Sequence, residues 1–124
     1  MKLQTMPDQQ TSISHYDENS LTINRQKYNQ TILITSNKVS ILNTLRKTIS
    51  KLNNLTIKEL PLETNIDLLI IGGHQITPLK MPYKFQQELA SINISLEIMS
   101  LGAACRTFNI LRSEDRDVAC LIFM

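Results

Sequence analysis

The sequence predicts an α/β fold: a mixed sheet with a parallel βαβαβ C-terminal half and an N-terminal antiparallel meander. Three observations carry this prediction. Two continuous apolar runs, "DLLII" (67–71) and "DVACLIFM" (117–124), are too short for helices and read as buried strands. Between them helical and strand rhythms alternate at short spacing, which implies crossover connections and so parallel strands. Ahead of them, residues 12–34 hold short β-branched or aromatic runs parted by turn-forming residues.

In chain order, residues 1–11 are polar and Gln/Thr-rich and read as a loose lead-in. Residues 12–124 read as one α/β domain with no internal repeat and no linker. "SISHY", "LTIN" and "KYNQTILI", separated by "DENS" and "RQ", form a meander of two or three strands. Leu21 and Ile23 share a face, as do Tyr28, Ile32 and Ile34. In "SILNTLRKTISKLNN", Leu42, Leu45, Ile49 and Leu52 form a helical stripe that stops at Asn53-Asn54. A short turn follows in "LTIKEL". The run "DLLII" ends at Gly72-Gly73. "MPYKFQQELASI" is a helix with Pro82 at its first position and Met81, Phe85, Leu89 and Ile92 as its stripe. "ISLEIM" (94–99) alternates as a strand. A helix follows from about Ala103 to Arg112, and the chain closes on the second apolar strand.

The 124 residues are enough for a single real core, and 42% of them are hydrophobic. The 13 basic and 11 acidic side chains leave a net charge of only +2, and the basic ones are scattered. With no Trp and few other aromatics, the chain lacks the basic face and stacking platform of a nucleic-acid binder. Two cysteines are too few for a secreted disulfide framework. No apolar stretch nears the ~20 residues of a bilayer span. The opening residues resemble neither a signal nor a transit peptide. These features predict a cytoplasmic protein, monomeric or homodimeric, with peripheral membrane association left open.

The stretch "SLGAACRTFNIL" (100–111) holds the residues most suggestive of chemistry. On a helix, Ala104, Cys105, Phe108 and Leu111 make one inward stripe, while Arg106, Thr107, Asn109 and Arg112 point sideways or outward. Cys105 therefore reads as a small buried hydrophobe. A first-turn position does lower a thiol's pKa. A nucleophile also needs a base, however, and neither His15 nor His74 is tied to Cys105 by spacing. Cys120 reads as core.

In parallel sheets, ligands sit beyond the carboxyl ends of strands. Two small-residue loops there, Gly72-Gly73-His74 and Ser100-Leu101-Gly102, share one edge if their strands are neighbours. Arg106 stands one turn into the helix. Free helix N–H groups with Arg106 favour an anion or a partner's carboxylate. The plainer alternative is that the glycines only turn the chain, and that Arg106 and Asn109 only tie loops together. The candidate ligand or partner site is Gly72, Gly73, His74, Ser100, Gly102, Arg106 and Asn109.

Phosphate-cradle fingerprints and metal-ligand spacings are absent, so no cofactor, no metal and no catalytic residue is assigned. "SEDRD" (113–117), and Glu63 and Asp67 around "LETNID", read as solvated turns.

These residues resemble a small α/β family labelled domain of unknown function 498, which includes the mitochondrial respiratory complex I assembly factor 3. Met99, Ser100, Gly102, Ala103, Ala104, Cys105, Arg106, Thr107 and Asn109 match its most specific run, with Phe108 in the aromatic slot. The likeness covers about residues 12–123. Departures fall in the loops: Gly73-His74 replaces Thr-Gly, and Leu101 stands where Thr is usual. The resemblance implies a three-layer α/β domain with no secure enzymatic activity, working by binding other proteins.

Two functions follow as expectations. The first is a non-catalytic protein-interaction module that assists assembly of a membrane or respiratory complex. The alternative is a small-molecule or anion-binding domain, or an enzyme, built on the strand-end loops.

Overall fold

The computed structural model describes residues 11–42, 55–62, 65–73 and 81–124. Within them the strands are β1 (Ile13–Tyr16), β2 (Leu21–Ile23), β3 (Gln26–Tyr28), β4 (Ile32–Ile34), β5 (Val39–Ile41), β6 (Leu68–Gly73), β7 (Ser95–Ser100) and β8 (Val118–Phe123). The α-helices among the described residues are α1 (Tyr83–Ala90) and α2 (Leu101–Ser113). Strands β1-β2-β3 form an antiparallel sheet, and a five-stranded mixed sheet runs β5-β4-β8-β6-β7.

The two apolar runs form the middle of the large sheet. β6 lies between β7 and β8 and is parallel to both, with Leu69 opposite Leu96 on one side and Ala119 on the other. All six residues of β8 are buried, because both of its faces and both of its edges are covered. The connection β6–α1–β7 steps outward to the sheet edge, and β7–α2–β8 steps back across β6. Crossovers of equal hand in opposite directions place their helices on opposite faces.

The core divides accordingly. Leu69 and Ile71 of β6 pack with Phe85 and Leu89 of α1, and with Leu55, Leu60 and Ile66. Ile70 packs on the other face with Ala104, Cys105 and Phe108 of α2, and with Ile13, Leu21 and Ile23 of the small sheet. The result is three layers: α1, the large sheet, then α2 beside the small sheet.

Several elements depart from the sequence-based expectation. "KYNQTILI" is two strands: Tyr28 ends β3 in the small sheet, and Ile32 opens β4 in the large one. Both keep Tyr28, Ile32 and Ile34 on the same core, so the alternation is the same for one strand or two. Exposed Asn29 and Gln30 mark the break. Ser40 and Ile41 belong to β5, not to a helix, and Leu42 packs on the core. Leu45, Ile49 and Leu52 lie outside the described residues.

Pro82 is the N-cap of α1 rather than its first residue. The helix stops at Ala90, so Ile92 falls in the following turn and is 50% exposed. Asn93 there takes φ 65°, a left-handed cap position that asparagine tolerates. Arg112, placed sideways or outward by the helical pattern, is buried.

Candidate functional site

β6 and β7 end together. Gly72 lies opposite Met99, and Gly73 opposite Ser100, so the two carboxyl ends share one edge of the sheet. No loop separates β7 from α2: Ser100 is the last strand residue and the helix N-cap, in extended backbone (φ −64°, ψ 164°). Leu101 is already helical and buried, and Gly102 sits in the first turn. Gly72 and Gly73 are likewise the last residues of β6 rather than a turn after it. Exposed Ser100, half-buried Gly102 and exposed Arg106 thus stand near the Gly72-Gly73 strand end, with Asn109 further along α2. His74 lies outside the described residues.

Of the two glycines at this contact, Gly72 has a firm steric reason to be there, while a side chain at Gly102 would meet only the movable ends of Tyr16 and Arg106. A Cβ on Gly72 would lie 2.5 Å from the Cβ of Ala104, so the missing methyl lets α2 rest directly on the strand. A Cβ on Gly102 would lie 2.9 Å from the Tyr16 hydroxyl and 3.0 Å from Arg106 Nη1. The space is filled by a hydrogen bond between those two groups: Arg106 Nη1 donates to Tyr16 Oη at 2.9 Å.

The polar flank of α2 continues this fastening. Asn109 presents its amide to the backbone of Ile13. It accepts from Ile13 N–H at 2.9 Å and donates through Nδ2 to Ile13 C=O at 2.8 Å. One side chain thus replaces a neighbouring strand at β1. Arg112 Nη2 donates to Ser36 C=O at 3.2 Å, beyond the end of β4. Its Nε is buried with no partner among the described residues. The cation stands in the last turn of α2, where the helix's free carbonyls favour positive charge. Arg106, Asn109 and Arg112, at successive three-residue steps, bind the N-terminal segment at three separate points. Sequence reasoning found Arg106 and Asn109 but missed their partners Tyr16 and Ile13, about ninety residues away, and missed the tie made by Arg112. No local pattern encodes such pairings.

Cys105 is 1% exposed, and burial pushes its thiol up to about 12, against a smaller opposing pull from the Arg106 charge. At neutral pH it is a protonated, apolar-packed group. Burial raises Cys120 well above the ordinary thiol value too. His15 is exposed and stands 3.8 Å from the Asp17 carboxylate. Asp17 accepts from Asn19 N–H, Ser20 N–H and the Ser20 hydroxyl. The bond from Asn19 is the largest cause holding its carboxyl below the usual range. Among the described residues no three His, Cys, Asp or Glu side chains are grouped to hold a metal ion. No helix among them is long and apolar enough to cross a membrane.

Comparison with known proteins places this arrangement. Residues 13–123 match the family described as "Protein of unknown function (DUF498/DUF598)". Over 62 residues the chain is 40% identical to NADH dehydrogenase (ubiquinone) 1 alpha subcomplex assembly factor 3 of Drosophila melanogaster, a match covering 49% of this chain and 32% of that protein. Over 66 residues it is 33% identical to the 13 kDa major membrane protein of Francisella tularensis subsp. holarctica (strain LVS), covering 52% of this chain and 51% of that one. The chain thus spans about half the length of these curated relatives or less. A crystal structure described as an outer membrane protein from Bartonella henselae superposes with a TM-score of 0.70 at 26% identity, covering 92% of this chain and 94% of that one.

Proposed function

We propose that this chain, which belongs to the DUF498/DUF598 family, works as a non-catalytic protein-interaction module that helps assemble a membrane or respiratory complex. The observation that carries the reading is the 40% identity over 62 residues to a protein named as a complex I assembly factor. The chemistry of α2 agrees with it. The thiol of Cys105 is buried and protonated, Asn109 is engaged with the β1 backbone, and Arg106 is bonded to Tyr16. None of these groups is presented as a nucleophile with its base. Residues 12–124 act as one interaction domain in this reading.

The chain reaches the membrane through its partner and stays on the cytoplasmic side. The word "membrane" in the names of two similar proteins supports the first part of that statement. Affinity capture of the tagged chain from its native cells, with mass spectrometry of the membrane fraction, tests the proposal. Recovery of stoichiometric subunits of one membrane complex is expected. A chain that stays partnerless in detergent-solubilised and cross-linked extracts contradicts it.

One arrangement favours a second reading, an anion or small-molecule site. β6 and β7 end side by side, with Gly73 opposite Ser100 and exposed Arg106 one turn into α2. A thermal-shift screen with anionic metabolites tests it. A stabilising ligand whose effect disappears in Arg106→Ala supports the site, and no hit across the screen removes it.

A further inference from the structure

Among the described residues, β7 is the outermost strand of the large sheet on the β6 side. It is six residues long, pairs with β6 without a register shift, and contains neither proline nor lysine. Exposed edges of this kind are templates for strand addition, and proteins interrupt them with bulges, prolines or charges. Here the interruption is one residue, Glu97.

The backbone direction along β7 follows from one hydrogen bond. Ser95 N–H donates to Asp67 C=O at 3.0 Å, toward β6. Backbone groups alternate in direction along a strand, so the N–H and C=O of Leu96 and Ile98 point to the open edge. Their side chains turn into the core shared with α1. Glu97 takes the opposite, α2-side face, where its carboxylate is exposed and has no ion-pair partner among the described residues. On the α1 side a groove of about 720 Å³ runs beside the same edge, between Gln86, Gln87 and Ala90 of the helix and residues 93–97. Ile92, half-exposed, stands in the turn that leads into it.

We infer that β7 accepts an extended segment of another protein as an added strand, with a lysine or arginine of that segment opposite Glu97. Residues on either side of that cation face the other way and enter the α1 groove, which suits short polar or β-branched side chains. Main-chain hydrogen bonds to Leu96 and Ile98 supply affinity, and the charge at Glu97 with the groove supplies selectivity. The β7 strand of a second copy does not meet the requirement. The only ionisable residue of its β7 is Glu97, and pairing two such strands about their middles brings like charges together. The inference rests on the reading of the chain as an interaction module and adds the surface and the chemistry of its partner.

The test uses a phage-displayed library of random short peptides panned against the purified chain. Enriched peptides are expected to share a central Lys or Arg among β-branched residues and to slow amide exchange at Leu96 and Ile98. Against Glu97→Lys they are expected to bind about tenfold more weakly, and a peptide with Glu at its centre recovers the loss. Three results overturn the inference. One is no enrichment. Another is peptides that protect other amides and ignore Glu97→Lys. The third is self-association of the chain through β7. A cellular partner that binds wild type and Glu97→Lys equally leaves the interaction module standing and removes this surface. Peptides seated on β7 of a chain with no cellular partner do the reverse.

Discussion

At Gly72 the distance between a strand and a helix is set by one missing methyl group. A Cβ there meets the Cβ of Ala104 at 2.5 Å, closer than side-chain carbons approach. Gly72→Ala therefore pushes α2 off the sheet. Urea denaturation is expected to show a loss of about 1–3 kcal/mol, partly recovered by adding Ala104→Gly. Arg25 presents the opposite case. With Asn24 (φ 49°) it turns the β2–β3 hairpin at φ 73°, a conformation that glycine adopts freely and arginine does not. Arg25→Gly is expected to stabilise the chain by about 1 kcal/mol, read from the same urea midpoints.

The thiols carry a pH signature. Below pH 9.0, the ordinary thiol value, folded and unfolded chains both keep the Cys105 proton, and stability does not depend on this group. Above that value the unfolded chain releases the proton while the folded chain, raised to about 12, retains it. The folded state then binds more protons, so stability falls as pH rises through this window. Urea midpoints taken from neutral pH to about pH 10.5 are expected to decline, and less steeply in Cys105→Ala.

At the scale of elements, α2 is both a core helix and a fastener. Its inward stripe of Ala104, Cys105 and Phe108 was legible in the sequence, because a helical period makes burial predictable. β6 and β8 were legible as continuous apolar runs too short for helices, and β7 by its alternation. The division of "KYNQTILI" was not legible, since one strand and two strands satisfy the same alternation. β5 was hidden too, because Val39-Ser40-Ile41 is short and runs straight into the helical-looking stripe that begins at Leu42. The grip of Asn109 on Ile13 is a contact across 96 positions of chain, and only tertiary packing brings it about.

That grip has a measurable consequence. Asn109→Ala leaves the N–H and C=O of Ile13 without their side-chain partner, a loss of about 1–3 kcal/mol. Because the lost contacts all lie at β1, amide exchange is expected to accelerate first in β1 and β2. The amides of β6 and β8, buried between other strands, stay the slowest in the molecule. Uniform acceleration across both sheets would mean that the small sheet is not held through Asn109.

At the scale of the molecule, three layers meet at the α2 motif, whose inward residues are core and whose polar flank holds the N-terminal segment. The sequence pattern read Cys105 as a buried hydrophobe and left Arg106 as either a ligand contact or a tie between loops. The fold places the first in the core and bonds the second to Tyr16. Among the described residues, the β7 edge and the shared end of β6 and β7 face outward. The sequence brought the ends of two strands to one edge, but that the strands run on through Gly73 and Ser100, and the structural duties of Gly72 and Asn109, required the packed helix to be seen.

The most direct test of this account is the rate at which the native chain reacts with a thiol reagent at about pH 8. If the motif is core and fastening, neither Cys105 nor Cys120 is labelled until the chain is unfolded in urea, and both are labelled then. Rapid labelling of Cys105 in the folded chain, at the rate of a free thiolate or faster, would contradict it.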